Sequence, residues 1–119
     1  MDVFNLAAKF EQVDEYWSPH IVAELNGQYL KVAKLKGEFV WHKHEREDEL
    51  FYVIKGELDI AFEDGIKRLK AGDCLCVPKG VEHKPVADEE VWVVLFEPKE
   101  TLNTGNVEDQ KTKRNLKRI

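Results

Sequence analysis

The sequence WHKHEREDELFYVIKG, residues 41–56, joins a polar segment to an apolar one. Its second half has the β-branched and aromatic composition of a buried strand. Its first half places His42 and His44 one residue apart and follows them with the charged run EREDE. Side chains of a strand alternate between two faces, so both histidines are expected to point the same way, with Cβ atoms roughly 6–7 Å apart. One metal ion, at about 2.1 Å from each nitrogen, can span that distance.

The histidine pair also has a simpler explanation, an exposed strand edge with ordinary titrating imidazoles. A third histidine, His83, follows the segment DCLCVP and a Pro-Lys-Gly turn, and taken alone it is typical of a core or surface histidine. A carboxylate ligand could come from Asp48 or Glu49, and alternation does not choose between them because the charged loop breaks the register. Three imidazoles and one carboxylate would extend the two-histidine, one-carboxylate pattern of non-haem iron sites by one histidine.

Around this segment, turn signals separate short strand-like segments, as is typical of β-structure. Asn26-Gly27 and Asp64-Gly65 each separate two strand-like segments, which is a strong signal for two-residue hairpins. Other residue pairs that end in glycine, such as Lys36-Gly37, indicate further turns. Residues 20–97 are therefore predicted to hold eight to ten short strands. Strands at this spacing favour an all-β sandwich, jelly roll or barrel.

The ends of the chain differ from this middle part. We predict an N-terminal helical segment (residues 1–19), a barrel (20–98) and a polar, basic tail (99–119) within one domain. Residues 4–13 show a rough helical spacing of apolar residues, and Asn5 could cap that helix. The last nine residues, KTKRNLKRI, hold five Lys or Arg and no acid. They are expected to be solvated, the alternative being that they dock on their own domain or contact a polyanion.

Two groups of residues resemble the two signature motifs of the cupin superfamily. The first group has the pattern G-x4-H-x-H-x4-E-x6-G, the second has G-x5-P-x-G-x2-H, and 15 residues separate them. They comprise Gly37, His42, His44, Glu49 and Gly56, and then Gly72, Pro78, Gly80 and His83. The resemblance departs from the family in two places, with four residues rather than five before the first histidine and Ala87 where asparagine is frequent.

The resemblance implies a fold, a ligand set and a range of functions. It implies an all-β cupin jelly-roll barrel with a short N-terminal helix. It selects Glu49 over Asp48, so that His42, His44, Glu49 and His83 would bind one divalent metal ion, which could be Fe, Mn, Ni, Cu, Co or Zn. Cupins include dioxygenases, isomerases, epimerases, decarboxylases, sugar-binding sensors and storage proteins.

Our favoured prediction is a metal-dependent enzyme of the oxygenase or isomerase type that acts on a small molecule. Glu49 could stay a ligand or act as a catalytic base, and Val40, Phe51 and Val53 would line the pocket. The alternative is a non-catalytic module that binds or senses a metal or small molecule.

Composition and patterning set expectations for partners and location. The formal net charge of −5 disfavours nucleic acid as the main partner. No segment approaches the roughly 18 apolar residues of a membrane span, and the first residues lack a signal-peptide pattern, so a cytoplasmic location is expected. Cys74 and Cys76 are predicted to be reduced thiols in the core. His20 is predicted to be a surface or packing residue.

Two strand-like segments, residues 50–54 and 91–96, are apolar on both faces. A strand with two apolar faces needs a second cover. A homodimer interface is the favoured prediction, and the alternative is that the N-terminal helix covers this face.

Overall fold

The computed structural model describes all 119 residues, and its regular secondary structure is almost entirely antiparallel β-strand. It has one helix, α1 (Leu6–Phe10), and seven strands: β1 (His20–Leu25), β2 (Gln28–Glu38), β3 (Glu49–Lys55), β4 (Glu57–Phe62), β5 (Gly65–Lys70), β6 (Cys74–Val77) and β7 (Lys84–Pro98). The expectation of eight to ten strands is wrong because β2 runs on through Lys36-Gly37. Gly37, with φ +89°, forms an irregularity in the β2–β7 ladder there rather than a turn.

Strand β7 organises the sheet. The strand order is β1-β2-β7-β3-β6, and β4 pairs with both β5 and β7. The C-terminal half of β7 lies between β2 and β3, whereas its beginning pairs with β4 through Val86 and Asp59. The strands thus wrap around one main core, which confirms the all-β prediction. No helix here has the length and apolar character that a membrane crossing requires.

One of the two predicted hairpin turns lies where expected. Leu25 pairs with Gln28 across Asn26-Gly27, whose φ angles of +51° and +78° are those of a tight turn with both central residues left-handed. The second turn is displaced by one residue. Phe62 pairs with Gly65, so the turn residues are those at positions 63–64 and the glycine begins β5.

The prediction that Cys74 and Cys76 belong to the core is wrong. Both thiols are free and exposed. Leu75 pairs with Phe51 of β3 and turns toward the core, whereas the cysteines of this short strand point outward. The segment is apolar as its composition indicates, but the face of β6 that packs on the core does not carry the cysteines.

The N-terminal segment covers part of the outer face of β2 and β7. Asn5 caps α1 as predicted, since its side-chain oxygen accepts a hydrogen bond from the Ala8 amide at 3.0 Å, although the helix is shorter than residues 4–13. Phe10 is fully buried and stacks on Trp92 with ring centroids 4.9 Å apart. The N-terminal segment therefore covers this part of the apolar outer face, as the alternative explanation predicted.

The C-terminal segment docks on the barrel. Ile21 of β1 donates a backbone hydrogen bond to Lys117 at 2.8 Å and accepts one from Ile119 at 3.0 Å. Arg118 also lies 3.3 Å from the carboxylate of Glu24. The chain end therefore docks on its own domain, as the alternative prediction had it, although none of its last nine residues is buried. His20, at the start of β1, is a buried packing residue.

Candidate metal centre

His42, His44, Glu49 and His83 converge inside the barrel. Each offers a ligand atom, these atoms lie within 4.8 Å of one another, and all four residues are buried. His42 and His83 exchange backbone hydrogen bonds of 3.0 and 2.8 Å, which fixes two of the imidazoles side by side. Glu49 begins β3 on its inward face. The two histidines of the opening segment belong to no regular strand, yet they converge as alternation predicted.

The hydrogen bonds around the imidazoles leave metal-binding atoms free. Nδ1 of His42 lies 2.9 Å from the Val40 carbonyl, and Nδ1 of His83 lies 2.9 Å from the Val81 carbonyl. A carbonyl oxygen can only accept, so each Nδ1 carries the proton and each Nε2 has a free lone pair. A histidine that binds a metal is commonly oriented in this way.

Several buried polar atoms of the cluster have no hydrogen-bond partner. They are both ring nitrogens of His44, Nε2 of His83 and Oε1 of Glu49. The two Nε2 atoms lie 3.3 and 3.5 Å from Oε1 of Glu49, without the geometry of a hydrogen bond. Buried polar atoms without partners are costly, and a cation at their point of convergence would remove that cost. The cluster could therefore hold a metal ion.

The protonation states suit a cation. Burial, reinforced by the neighbouring His83, lowers the pKa of His42 to about 4, so this imidazole is neutral at neutral pH. Burial alone would raise the pKa of Glu49, but the close approach of the His44 and His83 imidazoles to its carboxylate outweighs burial and holds that pKa well below its ordinary value. Glu49 is therefore a carboxylate, as a ligand of a divalent cation should be.

The choice between the two acidic candidates is clear in the structure. Asp48 is exposed, and its carboxylate accepts a hydrogen bond from the Lys79 amide at 2.9 Å. Glu49 points into the cluster. The motif spacing had selected Glu49, whereas strand alternation alone could not.

A small cavity of about 40 Å³ adjoins the cluster at His42 and Glu49. Its other walls are mostly apolar, formed by Trp17, Pro19, Ala33, Leu35, Phe39, Phe51, Pro85, Val93, Leu95, Glu97 and Asn103. Of the three predicted wall residues only Phe51 lines it. Val53 lies in the core, and Val40 is not among the lining residues.

A buried ion pair beside this cavity was not predicted from the sequence. Nζ of Lys31 lies 2.8 Å from Oε1 of Glu97, and each side chain is 1% exposed. A signal was present in the sequence. Lys31 alternates with Ala33 and Leu35 along β2, so it is a charged residue at an inward position of an otherwise apolar face.

The C-terminal segment also reaches the candidate site, which the sequence analysis did not predict. The amide of Asn106 donates to the Lys43 carbonyl at 3.0 Å, and its side-chain oxygen accepts from the Lys43 amide at 2.9 Å. Gly105 lies against His42, and Asn103 forms part of the cavity wall. The segment thus closes one side of the site.

We expect Gly105→Ala to loosen this closure. A Cβ there would lie 2.2 Å from the Lys43 carbonyl oxygen and 3.2 Å from the His42 ring, at a φ of +56°. The left-handed backbone costs alanine about 1 kcal/mol, and displacing the backbone neighbour should bring the total to about 2–3 kcal/mol. Urea denaturation measures this loss.

The matched control for Gly105→Ala is Gly80→Ala. Gly80 also has a positive φ, +80°, but a Cβ there would meet nothing within 4 Å. Only the backbone cost of about 1 kcal/mol is expected. Equal losses in the two variants would contradict a close approach of Gly105 to the site.

Comparison with known proteins identifies the family. The family model described as the Cupin domain matches residues 29–101, more than half of the chain and all four residues of the cluster. The chain belongs to the cupin family. This confirms the resemblance that the two motifs carried.

Relatives of this cupin share its architecture. The uncharacterized protein YdbB of Bacillus subtilis is 41% identical over 81 residues, 67% of this chain and 72% of that protein. A crystal structure of a cupin-2 domain protein from Shewanella frigidimarina is 46% identical and covers 82% of this chain and 95% of its own, with a TM-score of 0.80. Protein NMB1881 from Neisseria meningitidis is 30% identical, covers 82% and 99%, and has a TM-score of 0.75. The predicted cupin barrel is thereby confirmed.

Proposed function

We propose that this cupin binds one divalent metal ion through His42, His44, Glu49 and His83, and that it is a metal-dependent enzyme of the oxygenase or isomerase type. The observation that carries the proposal is the convergence of four buried ligand residues, three of which (His44, Glu49 and His83) have buried polar atoms without a hydrogen-bond partner. A bound divalent ion supplies Lewis-acid or redox chemistry to a small molecule beside it.

The residues around the cluster have separate roles in this proposal. The carbonyls of Val40 and Val81 hold the His42 and His83 rings with Nε2 free. Apolar walls such as Phe51 exclude water and accept the non-polar part of a small compact molecule. Glu49 serves as the anionic ligand, and it is the candidate base if it leaves the metal. The ligand types accept Fe, Mn, Ni, Cu, Co or Zn.

A second candidate function is a non-catalytic module that binds or senses a metal or small molecule. The cavity of about 40 Å³ favours it, because that volume holds little more than a few water-sized groups. The predicted homodimer and cytoplasmic location stay predictions under either function.

Elemental analysis of untagged protein, purified without metal-affinity resin or chelator, tests the proposal. We expect about one equivalent of a divalent metal per chain, because the cluster offers one set of four ligands. A redox metal, above all iron, would support the oxygenase and lead to oxygen-consumption screens with small organic acids, thiols and phenols. Zinc or nickel would favour an isomerase or the binding module. No metal, even after reconstitution, would contradict the metal site.

A further inference from the structure

An open pocket of about 500 Å³ lies where the C-terminal segment docks on the barrel. Its walls come from β1, β2 and two parts of the C-terminal segment, within residues 99–102 and 113–118. None of the four residues of the metal cluster lines it. The walls carry one acid, Glu100, and four cationic side chains, those of Lys99, Lys113, Arg114 and Arg118. In a chain whose formal net charge is −5, the lining of this pocket is therefore positively charged.

Each of the four cations has a carboxylate partner outside the pocket lining. These partners are Glu15, Glu24 and Glu108. Glu24 is shared, since it lies 3.6 Å from Nζ of Lys99 and 3.3 Å from Arg118. The four cationic side chains are 40–60% exposed, and ion pairs between exposed side chains contribute little to stability. A ligand that carries two negative charges can therefore compete for these cations.

A buried hydroxyl without a partner belongs to the same pocket. Thr101 lines the pocket and is only 5% exposed, yet its Oγ1 has no hydrogen-bond partner. A buried polar group in this state is costly, and an anionic oxygen in the pocket would accept its proton. The Tyr29 hydroxyl, also in the lining, accepts a hydrogen bond from Arg118 at 3.0 Å, so its own proton is available to a further acceptor. The pocket thus offers neutral donors as well as cations.

We propose that this pocket is a binding site for a small oxyanion, and that its ligand class is a molecule bearing a phosphate group. Guanidinium groups match phosphate and carboxylate oxygens bidentately, and lysine contributes a point charge. Phosphate is favoured because one phosphate group concentrates up to two negative charges on neighbouring oxygens, which suits a lining with several cations. The pocket volume falls within the range of about 300–1,000 Å³ that is usual for small-molecule sites. This inference goes beyond the proposed metal centre and does not depend on it.

Amide chemical shifts of the ¹⁵N-labelled protein, titrated with inorganic phosphate at constant ionic strength, test the site. We expect saturable shifts in residues 99–102 and 113–118, and none when chloride replaces phosphate. Succinate provides the carboxylate arm, for which we expect weaker binding at the same amides. Equal or tighter binding of succinate would overturn the preference for phosphate. No saturable shift at this pocket, or shifts confined to Lys43 and Gly105 beside the metal cluster, would overturn the site itself.

Two variants remove different parts of the site. Thr101→Val keeps the shape of the side chain and removes only its hydroxyl. We expect it to raise the Kd for phosphate roughly tenfold, because a hydrogen bond to a charged group is lost. It should melt no lower than the wild type, since no unpaired hydroxyl stays buried. Arg114→Gln/Arg118→Gln should raise the Kd tenfold or more, because two charge-assisted contacts are lost.

The matched control for the arginine variant is Lys67→Gln/Arg68→Gln, which removes the same charge from exposed positions on β5 outside the pocket. We expect it to bind phosphate as the wild type does, and an equal loss would mean that only overall charge matters. The Ile21 amide, which donates to the Lys117 carbonyl, reports whether the C-terminal segment stays docked in each variant. If the arginine variant undocks, Thr101→Val decides alone. A wild-type Kd in Thr101→Val would then overturn the site.

Discussion

His42→Ala and His83→Ala will each lower the bound metal at least roughly tenfold, the scale on which even indirect partners of a metal act. Both residues lie in the four-residue cluster, and both present Nε2 toward it because a backbone carbonyl occupies Nδ1. The metal content after dialysis against limiting metal measures the effect. Circular dichroism should show the β-fold retained in each variant, because His42 and His83 pair with each other through backbone hydrogen bonds that alanine keeps.

The control for the ligand variants is His20→Ala. His20 is buried, and its Nδ1 lies 2.7 Å from the Ser18 carbonyl, but it lies outside the cluster. Its replacement tests whether loss of any buried histidine reduces metal content. We expect wild-type metal content for it. Full metal content in both His42→Ala and His83→Ala would contradict the proposed metal site. An equal loss of metal in all three variants would contradict it as well.

Phe10→Ala should produce the largest loss of stability outside the site. Phe10 is fully buried, and its ring stacks on Trp92 with an interplanar angle of 12°. Truncating a buried phenylalanine typically costs about 3–5 kcal/mol, which corresponds to a fall in Tm of roughly 10–20 °C for a domain of this size. Thermal unfolding followed by circular dichroism measures it.

Phe4→Ala provides the matched control, with the same change in the same N-terminal segment. Phe4 is 39% exposed, so its removal leaves no comparable cavity. We expect a change within about 0.5 kcal/mol. Similar melting temperatures for Phe10→Ala and Phe4→Ala would mean that the segment does not pack on β2 and β7.

The predictable parts of the fold are those that local chemistry decides. Asn26-Gly27 forms the predicted hairpin because these residue types tolerate left-handed angles. Asn5 caps the helix because its side chain can accept a hydrogen bond from the first turn. The convergence of His42, His44, Glu49 and His83 could be anticipated because their spacing matches two motifs, although the residues between them have no regular strand geometry.

Long-range packing explains what could not be predicted. The exposure of Cys74 and Cys76 could not be predicted, because composition does not say which face of a four-residue strand meets the core. The Lys31–Glu97 contact joins residues of two strands that are distant in sequence, so no local pattern pairs them. Docking of the tail depends on the free edge of β1, which exists only after the sheet has formed.

The place of β7 in the sheet has a consequence for synthesis of the chain. This strand pairs with β2, β3 and β4, all of which leave the ribosome before it. Non-local pairing of this kind makes folding slow, because loop-closure entropy is lost before contacts compensate for it. The barrel therefore closes late, after residue 98 has emerged. Until then β2, β3 and β4 each lack one of their partner strands, and unpaired strand edges of this kind are prone to aggregation.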